Sequence, residues 1–146
     1  MMERLNIELP DSFGFVTDLD VRIYDVNIGG HLGHDSVIRL MHEARARFFG
    51  SLGYTELSVE GFGILIVDLL VQYRAEAFHQ DSIQIKMHIP AFSSRGCRLV
   101  YQLVREQDQS EIARAQTGLV FYDYEKRRTV SVPDAFRVKA AEKDYC

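Results

Sequence analysis

The sequence predicts an α+β fold in which one long helix is wrapped by a roughly five-stranded antiparallel sheet. Only one long segment has the periodicity of a helix, and the segments after it read as strands separated by short polar turns. A single helix with a wide apolar face is not stable alone, so we expect the sheet to cover it. The 146 residues suit one domain, placed at residues 1–146, with an N-terminal extension at 1–14 and a frayed tail at 140–146.

A strand and the long helix open the predicted fold. Residues 15–23 alternate between two faces, which is typical of a half-buried strand. A glycine-rich bend follows, after which Asp35 or Ser36 is expected to cap the helix by accepting hydrogen bonds from its free N–H groups. Gly50 and Gly53 are expected to end the helix. The apolar positions between these ends share one helical face: Val37, Met41, Ala44 and Phe48.

Strands make up most of the remaining chain, at residues 63–74, 82–89, 97–105 and 112–124. Residues 63–74 are apolar on both faces, which predicts a central strand covered on each side. Pro133 is expected to open a short final helix that runs to Lys139. Such a sheet leaves edges exposed. Because pairing between copies would cover part of them, we expect a homodimer or homotetramer.

Composition and charge exclude several kinds of protein. The net charge is −4, so the chain as a whole does not attract nucleic acid or an anionic membrane, although a local basic pocket can bind phosphate. The longest apolar stretch, residues 64–71, is broken by Asp68 and is far shorter than the roughly 20 residues of a membrane span. Neither residues 1–10 nor the cysteines, Cys97 and Cys146, suggest secretion, so we expect a reduced, cytoplasmic protein.

The segment between the first strand and the helix concentrates polar and reactive side chains: Tyr24, Asp25, Asn27, His31, His34 and Asp35. Its glycines allow the backbone to bend tightly and to approach a ligand closely. The helix that follows presents free N–H groups and a partial positive charge, which can stabilise a developing oxyanion. This combination suits acyl-transfer chemistry, and a solvated helix-entry loop is the alternative interpretation. His31 and His34 have the spacing of a metal pair, but no third ligand accompanies them, so we expect neither a metal nor a cofactor.

Several motifs resemble a known family. Residues 21–31 (VRIYDVNIGGH), followed by a helix that contains Glu43-Ala44-Arg45, resemble the 4-hydroxybenzoyl-CoA thioesterase branch of the hot dog fold. Residues 71–81 and the Ser94-Arg95-Gly96 turn are similar to later segments of the same proteins, so the resemblance extends over residues 15–133. It implies a hot dog fold with sites at a dimer interface. It also implies substrates that are acyl-CoA or, less often, acyl carrier protein thioesters.

Asn27 departs from the family pattern, since the family commonly has an aspartate there that acts as nucleophile or as base. An asparagine amide cannot take that role, because it has no titratable proton, but it can hold a water molecule or the thioester carbonyl. Three other residues are candidates for the base. The first is His31, which resembles a histidine of the plant acyl carrier protein thioesterases and titrates near neutral pH in its free form. The second is Asp25, whose side chain lies on the same side as that of Asn27 if the segment is extended. The third is Glu43, since another branch of hot dog enzymes uses a helix carboxylate.

Each candidate base also has a purely structural interpretation. His31 can cap the loop by hydrogen bonding, and Asp25 can position Arg22. Glu43 can pair with an arginine one helical turn away, at position 39 or 47.

Five residues are expected to contact the substrate: Tyr24, Gly30, Gly63, Arg95 and Gly96. The Arg95 guanidinium can bind a CoA phosphate through two hydrogen bonds, helped by free backbone N–H groups at Gly96. A solvated turn arginine is the alternative interpretation.

The favoured function is an acyl-CoA thioesterase. In this hypothesis the carbonyl is polarised at the helix N-terminus, and a water molecule that Asn27 holds and His31 or Asp25 activates attacks it. An (R)-specific enoyl-CoA hydratase-like lyase is a second hypothesis, because Asp25, Asn27 and His31 resemble its signature with the histidine one residue too far along. A non-catalytic acyl-CoA-binding module is a third, because Asn27 replaces the usual aspartate.

Overall fold

The computed structural model describes residues 2–146. The chain forms β1 (Phe15–Asp20), α1 (His34–Ser51), β2 (Gly63–Tyr73), β3 (Ser82–Phe92), β4 (Gly96–Arg105), β5 (Glu111–Asp123), β6 (Arg128–Val130) and α2 (Asp134–Glu142). A short 3-10 turn, Ile23–Asp25, follows β1. The order of the elements agrees with the sequence prediction, with β6 as one short additional strand.

The strands form one antiparallel sheet in the order β1-β3-β4-β5-β2, and β6 pairs with the end of β5. One face of the sheet is covered by α1, and alternate strand residues on that face are fully buried, among them Ile85, Leu99 and Phe121. The apolar face of α1 meets them through Ala44 and Phe48, both 0% exposed. The 18 residues of α1 span about 27 Å, so the loops before and after the helix lie at opposite ends of the sheet.

The strand β2 lies at an edge of the sheet, whereas the sequence predicts a central strand for this segment. Within residues 2–146 it pairs with β5 alone, and Ile66, Val67 and Leu69 are 39, 59 and 42% exposed. The prediction is wrong because a continuous apolar run shows that both faces are apolar, but not whether the same copy of the chain covers them. The outer edge of β2 therefore presents unpaired backbone groups beside apolar side chains.

The residues before β1 run across the outer face of the sheet, away from α1. Ile7 is 2% exposed; its N–H donates to Gln72 Oε1 of β2 at 2.9 Å, and its carbonyl accepts from Arg114 Nη1 of β5 at 3.1 Å. Val100 and Val104 of β4 are also buried, yet they stand outside the core cluster beneath α1. The predicted extension is thus attached to the sheet over its described part, while the first residue lies outside the described range.

The C-terminal tail is packed, not frayed as the sequence suggests. Tyr145 is 5% exposed, and its hydroxyl lies 2.7 Å from Ser51 Oγ. Its ring lies against those of Phe15 and Phe48, with centroid distances of 5.6 and 4.8 Å. The Tyr145 carbonyl also accepts a hydrogen bond from the Ile89 N–H at 2.7 Å. The packing of the Tyr145 ring therefore holds the tail against the core, although several residues around Tyr145 are charged.

Candidate active site

Asp25 ties the two ends of the loop between β1 and α1 together. Its side chain is 1% exposed, and its Oδ2 accepts hydrogen bonds from the Arg22 N–H at 2.8 Å and from Arg22 Nε at 3.4 Å. Its carbonyl accepts from the N–H of Gly33, the residue just before α1, at 3.0 Å. These contacts match the structural interpretation of Asp25, in which the carboxylate positions Arg22.

Asn27 closes the glycine-rich part of the loop. Its Oδ1 accepts hydrogen bonds from the N–H groups of Gly29 at 3.0 Å and His31 at 3.4 Å. Gly30 has a φ of +83°, in the left-handed region that favours glycine, so this turn requires a glycine there. The Asn27 side chain is exposed, and its Nδ2 has no hydrogen-bond partner among residues 2–146. Two N–H donors are therefore available to a ligand oxygen.

His31 lies beside this amide with its ring 34% exposed. Its Nδ1 is 3.5 Å from the Leu32 carbonyl oxygen, which favours a proton on Nδ1 and leaves Nε2 as the acceptor. Nε2 is 3.9 Å from Glu76 Oε1. A methyl group placed on Gly29 would lie 3.3 Å from both His31 Nε2 and Asn27 Oδ1. The imidazole and the amide therefore flank the same point in space.

Glu76 is a functional candidate that sequence reasoning missed. It lies in the connection between β2 and β3, which pairs with the loop through a hydrogen bond from the Leu32 N–H to the Ala77 carbonyl at 2.7 Å. An isolated bridge between His31 and Phe78 extends this pairing. No periodic pattern indicates the contact, because both segments are irregular and lie far apart in the chain.

The helix α1 begins at His34, and its cap position is Gly33, not Asp35 or Ser36 as expected. No side chain caps the helix, and the N–H groups of His34, Asp35 and Ser36 have no hydrogen-bond partner among residues 2–146. A methyl group placed on Gly33 would lie 3.7 Å from Asn27 Cβ, so the Asn27 side chain borders this open helix end. The first turn of α1 thus offers free donors and a partial positive charge next to Asn27.

Tyr73, at the end of β2, holds the first turn of α1. Its hydroxyl donates to the His34 carbonyl at 2.8 Å, and the two rings meet edge to face. Burial, with a smaller contribution from the Asp35 carboxylate, raises the pKa of Tyr73 above its usual value. The hydroxyl therefore stays protonated and remains a donor. The free edge of β2 reaches the candidate active site through this contact.

Glu43 lies elsewhere, on the outward side of α1. Its Oε1 accepts a hydrogen bond from Arg47 Nε at 3.1 Å, and Arg47 also donates to Thr17 Oγ1 at 2.9 Å. Glu43 faces a groove of about 810 Å³ lined by Leu19, Asp20, Arg22, Arg39, Leu40, His42, Ala46 and Arg47. None of these residues belongs to residues 27–31. In the structure Glu43 therefore forms an ion pair with Arg47, as its helical spacing allows, and it lies away from Asn27 and His31.

The candidate substrate-binding residues fall into two groups, Tyr24 and Gly30 in the loop and Gly63, Arg95 and Gly96 elsewhere. The second group lies at the opposite end of the sheet. Gly63 pairs with Tyr122, whereas Tyr73, which contacts the start of α1, pairs with Ala113. At a rise of about 3.4 Å per strand residue, these two ends are about 30 Å apart in one copy of the chain.

Packing explains two of the glycines at that far end. A methyl group on Gly63 would lie 2.3 Å from the Tyr124 ring, and one on Gly96 would lie 1.8 Å from the Leu119 carbonyl oxygen. Glycine is therefore required at Gly96, where the contact is with backbone, whereas at Gly63 the exposed Tyr124 ring would have to move aside. Arg95 is exposed at the adjacent turn, where its guanidinium can reach a solute.

Three observations concern other kinds of site. Among residues 2–146 there is no group of three or more His, Cys, Asp or Glu side chains arranged to hold a metal ion. No helix in the described part of the chain is long and apolar enough to cross a membrane. Burial raises the pKa of the Cys97 thiol to about 12, so this cysteine is not a nucleophile at neutral pH. The chemistry available at the loop is that of an amide, an imidazole and free backbone N–H groups.

Solved structures share this fold over most of their length. A 1,4-dihydroxy-2-naphthoyl-CoA thioesterase from Synechocystis, Slr0204, is 20% identical, with a TM-score of 0.81 over 90% of this chain and 98% of that one. The gentisyl-coenzyme A thioesterase BH1999 is 22% identical, with a TM-score of 0.74 over 87% and 99%. The hypothetical protein SAV2348 from Staphylococcus aureus, in complex with CoA, is 15% identical, with a TM-score of 0.79 over 94% and 87%. These similarities confirm the predicted hot dog fold.

Sequence comparison identifies the family through a family model and not through an individual protein. No curated protein matches the sequence at a significant level. The model of the thioesterase-like superfamily matches residues 21–140, which include the candidate active site and every strand except β1. The enzyme class predicted from the sequence, a thioester hydrolase, is confirmed at the level of the family. The chain therefore belongs to the thioesterase-like superfamily.

Proposed function

We propose that this protein hydrolyses acyl-CoA thioesters to a free acid and CoA. The observation that carries the proposal is the meeting of three groups at one end of the sheet: the Asn27 amide, the His31 imidazole and the open N-terminus of α1. Two of the similar structures are thioesterases of CoA esters, and a third was solved with CoA, which supports CoA as the carrier.

In the proposed reaction the thioester carbonyl lies at the start of α1, where free N–H groups polarise it. A water molecule sits between the Asn27 amide and His31 Nε2. As its oxygen bonds to the carbonyl carbon, its proton passes to Nε2. The tetrahedral oxyanion is stabilised by the helix N–H groups and the Asn27 Nδ2 donors. When it collapses, the carbon–sulfur bond breaks and the imidazolium returns the proton to the departing thiolate.

Three carboxylates take different parts in this proposal. Glu76 is proposed as a positioning residue, because its Oε1 lies 3.9 Å from His31 Nε2 and can help to orient the ring. Asp25 holds the loop through Arg22, and Glu43 pairs with Arg47, so neither is assigned a role as base. His31 is therefore the proposed general base.

The complete site is proposed to need two copies of the chain. The exposed edge of β2 is apolar and offers unpaired backbone groups, which a second copy can cover. Antiparallel pairing of two β2 edges about a two-fold axis would bring the Gly63 end of one copy against the Tyr73 end of the other. The loop of one copy would then face the end of the other that carries Arg95. This arrangement favours a homodimer as the smallest active unit.

The test is hydrolysis of a panel of aliphatic and aromatic acyl-CoA esters, with detection of the released thiol. The wild-type protein is expected to turn over at least one class. His31→Ala should lower kcat by about 100-fold or more, since a general base contributes on that order. The exposed His79 supplies the matched control, because His79→Ala should leave kcat unchanged. No turnover of any ester by the wild-type protein would refute the proposal.

Two other results would identify a different function. Hydration of crotonyl-CoA, seen as loss of enoyl absorbance, would indicate the lyase hypothesis. Saturable binding of acyl-CoA without turnover would indicate a binding module. Either result without thioester hydrolysis contradicts the proposal.

A further inference from the structure

Residues 76–81, in the connection between β2 and β3, support the loop between β1 and α1 near both of its ends. The Ala77 carbonyl accepts a hydrogen bond from the Leu32 N–H at 2.7 Å, near the end of the loop. The Asp81 carbonyl accepts from the Val21 N–H at 2.9 Å, where the loop begins. The position of the loop therefore depends on the position of segment 76–81.

Segment 76–81 contains a strained turn. Gln80 has a φ of +74°, in the left-handed region that residues other than glycine rarely adopt. The Asp81 N–H donates to the Phe78 carbonyl at 3.0 Å, and Asp81 Oδ2 accepts from the Phe78 N–H at 2.9 Å. Strained backbone of this kind persists only where the surrounding contacts hold it. The segment therefore depends on contacts from outside to keep its shape.

Arg105, the last residue of β4, supplies such a contact. Its Nη1 donates to the Glu76 carbonyl at 2.8 Å and lies 3.5 Å from Asp81 Oδ2. Its Nε donates to Asp108 Oδ1 at 3.0 Å. The hydrogen bond to Asp108, with a smaller contribution from Asp81, raises the pKa of Arg105 above its usual value, so the guanidinium stays charged. One cation thus binds both ends of segment 76–81, with its side chain only 16% exposed.

Arg105 has no substitute in this position. Within residues 2–146, no other side chain from outside segment 76–81 donates a hydrogen bond to it. The consequence for His31 is direct, because Leu32 follows it in the chain and Glu76 Oε1 lies 3.9 Å from its Nε2. A shift of segment 76–81 would displace both the backbone beside His31 and the carboxylate beside its ring.

We propose that Arg105 is a positioning residue for thioester hydrolysis at His31. This inference rests on the proposed function, in which His31 Nε2 takes a proton from water. Arg105 acts through segment 76–81 and is assigned no contact with the substrate. Its effect can still be large, because a displacement of about 1 Å far from the reacting atoms can lower a rate by about 100-fold.

The kinetic test uses Arg105→Gln in two backgrounds, with detection of the released thiol. In the otherwise wild-type protein, kcat should fall about tenfold or more while KM stays unchanged, since substrate does not contact Arg105. In the His31→Ala background, Arg105→Gln should lower kcat no further, because the group that it positions is absent. A merely structural role would lower kcat by the same factor in both backgrounds, and that result would overturn the inference.

Two further variants complete the design. Arg105→Lys keeps a charge beside Asp81, but one ammonium cannot replace both Nε and Nη1, so its kcat should lie between those of the wild type and Arg105→Gln. If Arg105→Gln does not fold, Arg105→Lys carries the same comparison. Arg114→Gln is the matched control. Arg114 is also a half-buried arginine that holds a connecting segment, through the Ile7 carbonyl at 3.1 Å, and a carboxylate, Glu111 Oε1 at 2.8 Å, so its loss should leave kcat unchanged.

Amide hydrogen exchange separates this inference from the proposed function. In Arg105→Gln the amides of Val21 and Leu32 should exchange about tenfold faster or more, while amides at the centre of β4 and β5 keep their rates. Unchanged exchange at Val21 and Leu32 overturns the inference whether or not any ester is hydrolysed. So does hydrolysis with equal kcat in Arg105→Gln and the wild type. Faster exchange without hydrolysis by the wild type refutes the proposed function instead, and with it the role of Arg105 in catalysis.

Discussion

Asn27→Asp is the substitution that most directly tests how the loop works. The new carboxylate keeps an oxygen to accept the N–H groups of Gly29 and His31, but it replaces the two Nδ2 donors with a charged acceptor. Loss of one oxyanion donor typically lowers kcat by about 10²–10³-fold, which is about 2.7–4 kcal/mol of transition-state stabilisation. We expect a fall of at least this size, because the new charge also repels the oxyanion.

The same substitution should raise the stability of the fold, although it lowers kcat. The carboxylate would border the uncapped N-terminus of α1, where a negative charge typically adds about 0.3–1 kcal/mol. Thermal unfolding and thiol-release kinetics measure the two effects, and Asn6→Asp, at an exposed position outside the loop, is the control. A rise in kcat that no longer depends on His31 would refute the reasoning, since the introduced carboxylate would then act as the base that the family usually carries.

Three further predictions concern stability and can be checked by urea unfolding. Tyr145→Ala should cost about 3–5 kcal/mol because it empties an aromatic site, whereas Tyr145→Phe should cost only about 1 kcal/mol for the lost hydroxyl contact; equal costs would contradict the packing described for the tail. Gly96→Ala should cost about 1–3 kcal/mol or more, because its methyl would meet the Leu119 carbonyl, while Gly50→Ala in α1, with nothing within 4 Å, should add about 1 kcal/mol; a neutral Gly96→Ala would show that this contact relaxes freely. Burial lowers the pKa of His88, whose Nδ1 has no partner, so the unfolded chain binds its proton first as pH falls below about 6.5. Stability should therefore decrease over that interval in the wild type and less so in His88→Gln; the same pH dependence in both would assign the loss to other groups.

Much of the fold could be predicted because its elements are long and regular. The spacing of Met41, Ala44 and Phe48 predicts α1, and strand alternation predicts the antiparallel sheet. The edge position of β2 could not be predicted, because its run of apolar side chains is the same as that expected for a strand buried inside a sheet. The packing of Tyr145 was also missed, since its contacts with Phe48 join residues that are distant in the sequence.

The candidate site was predictable in its location but not in its division of roles. The glycine-rich bend before α1 locates Asn27 and His31, and a resemblance to a family supplies the chemistry. Whether Asp25 faces solvent or Arg22 depends on burial, which spacing alone does not reveal. Glu76 reaches His31 only because two irregular segments pair, and such pairing leaves no periodic signal.

The distance of about 30 Å between the loop and the Arg95 turn has a consequence for mixed assemblies. In the proposed homodimer the loop of one copy faces the Arg95 end of the other. A dimer of one His31→Ala copy and one Arg95→Gln copy would then contain one site with both defects and one site with none. Random mixing of two such variants would produce mixed dimers in about half of the population, and so restore about a quarter of the wild-type sites. The sheet would thereby allow two impaired chains to complement each other, although neither carries an intact site by itself.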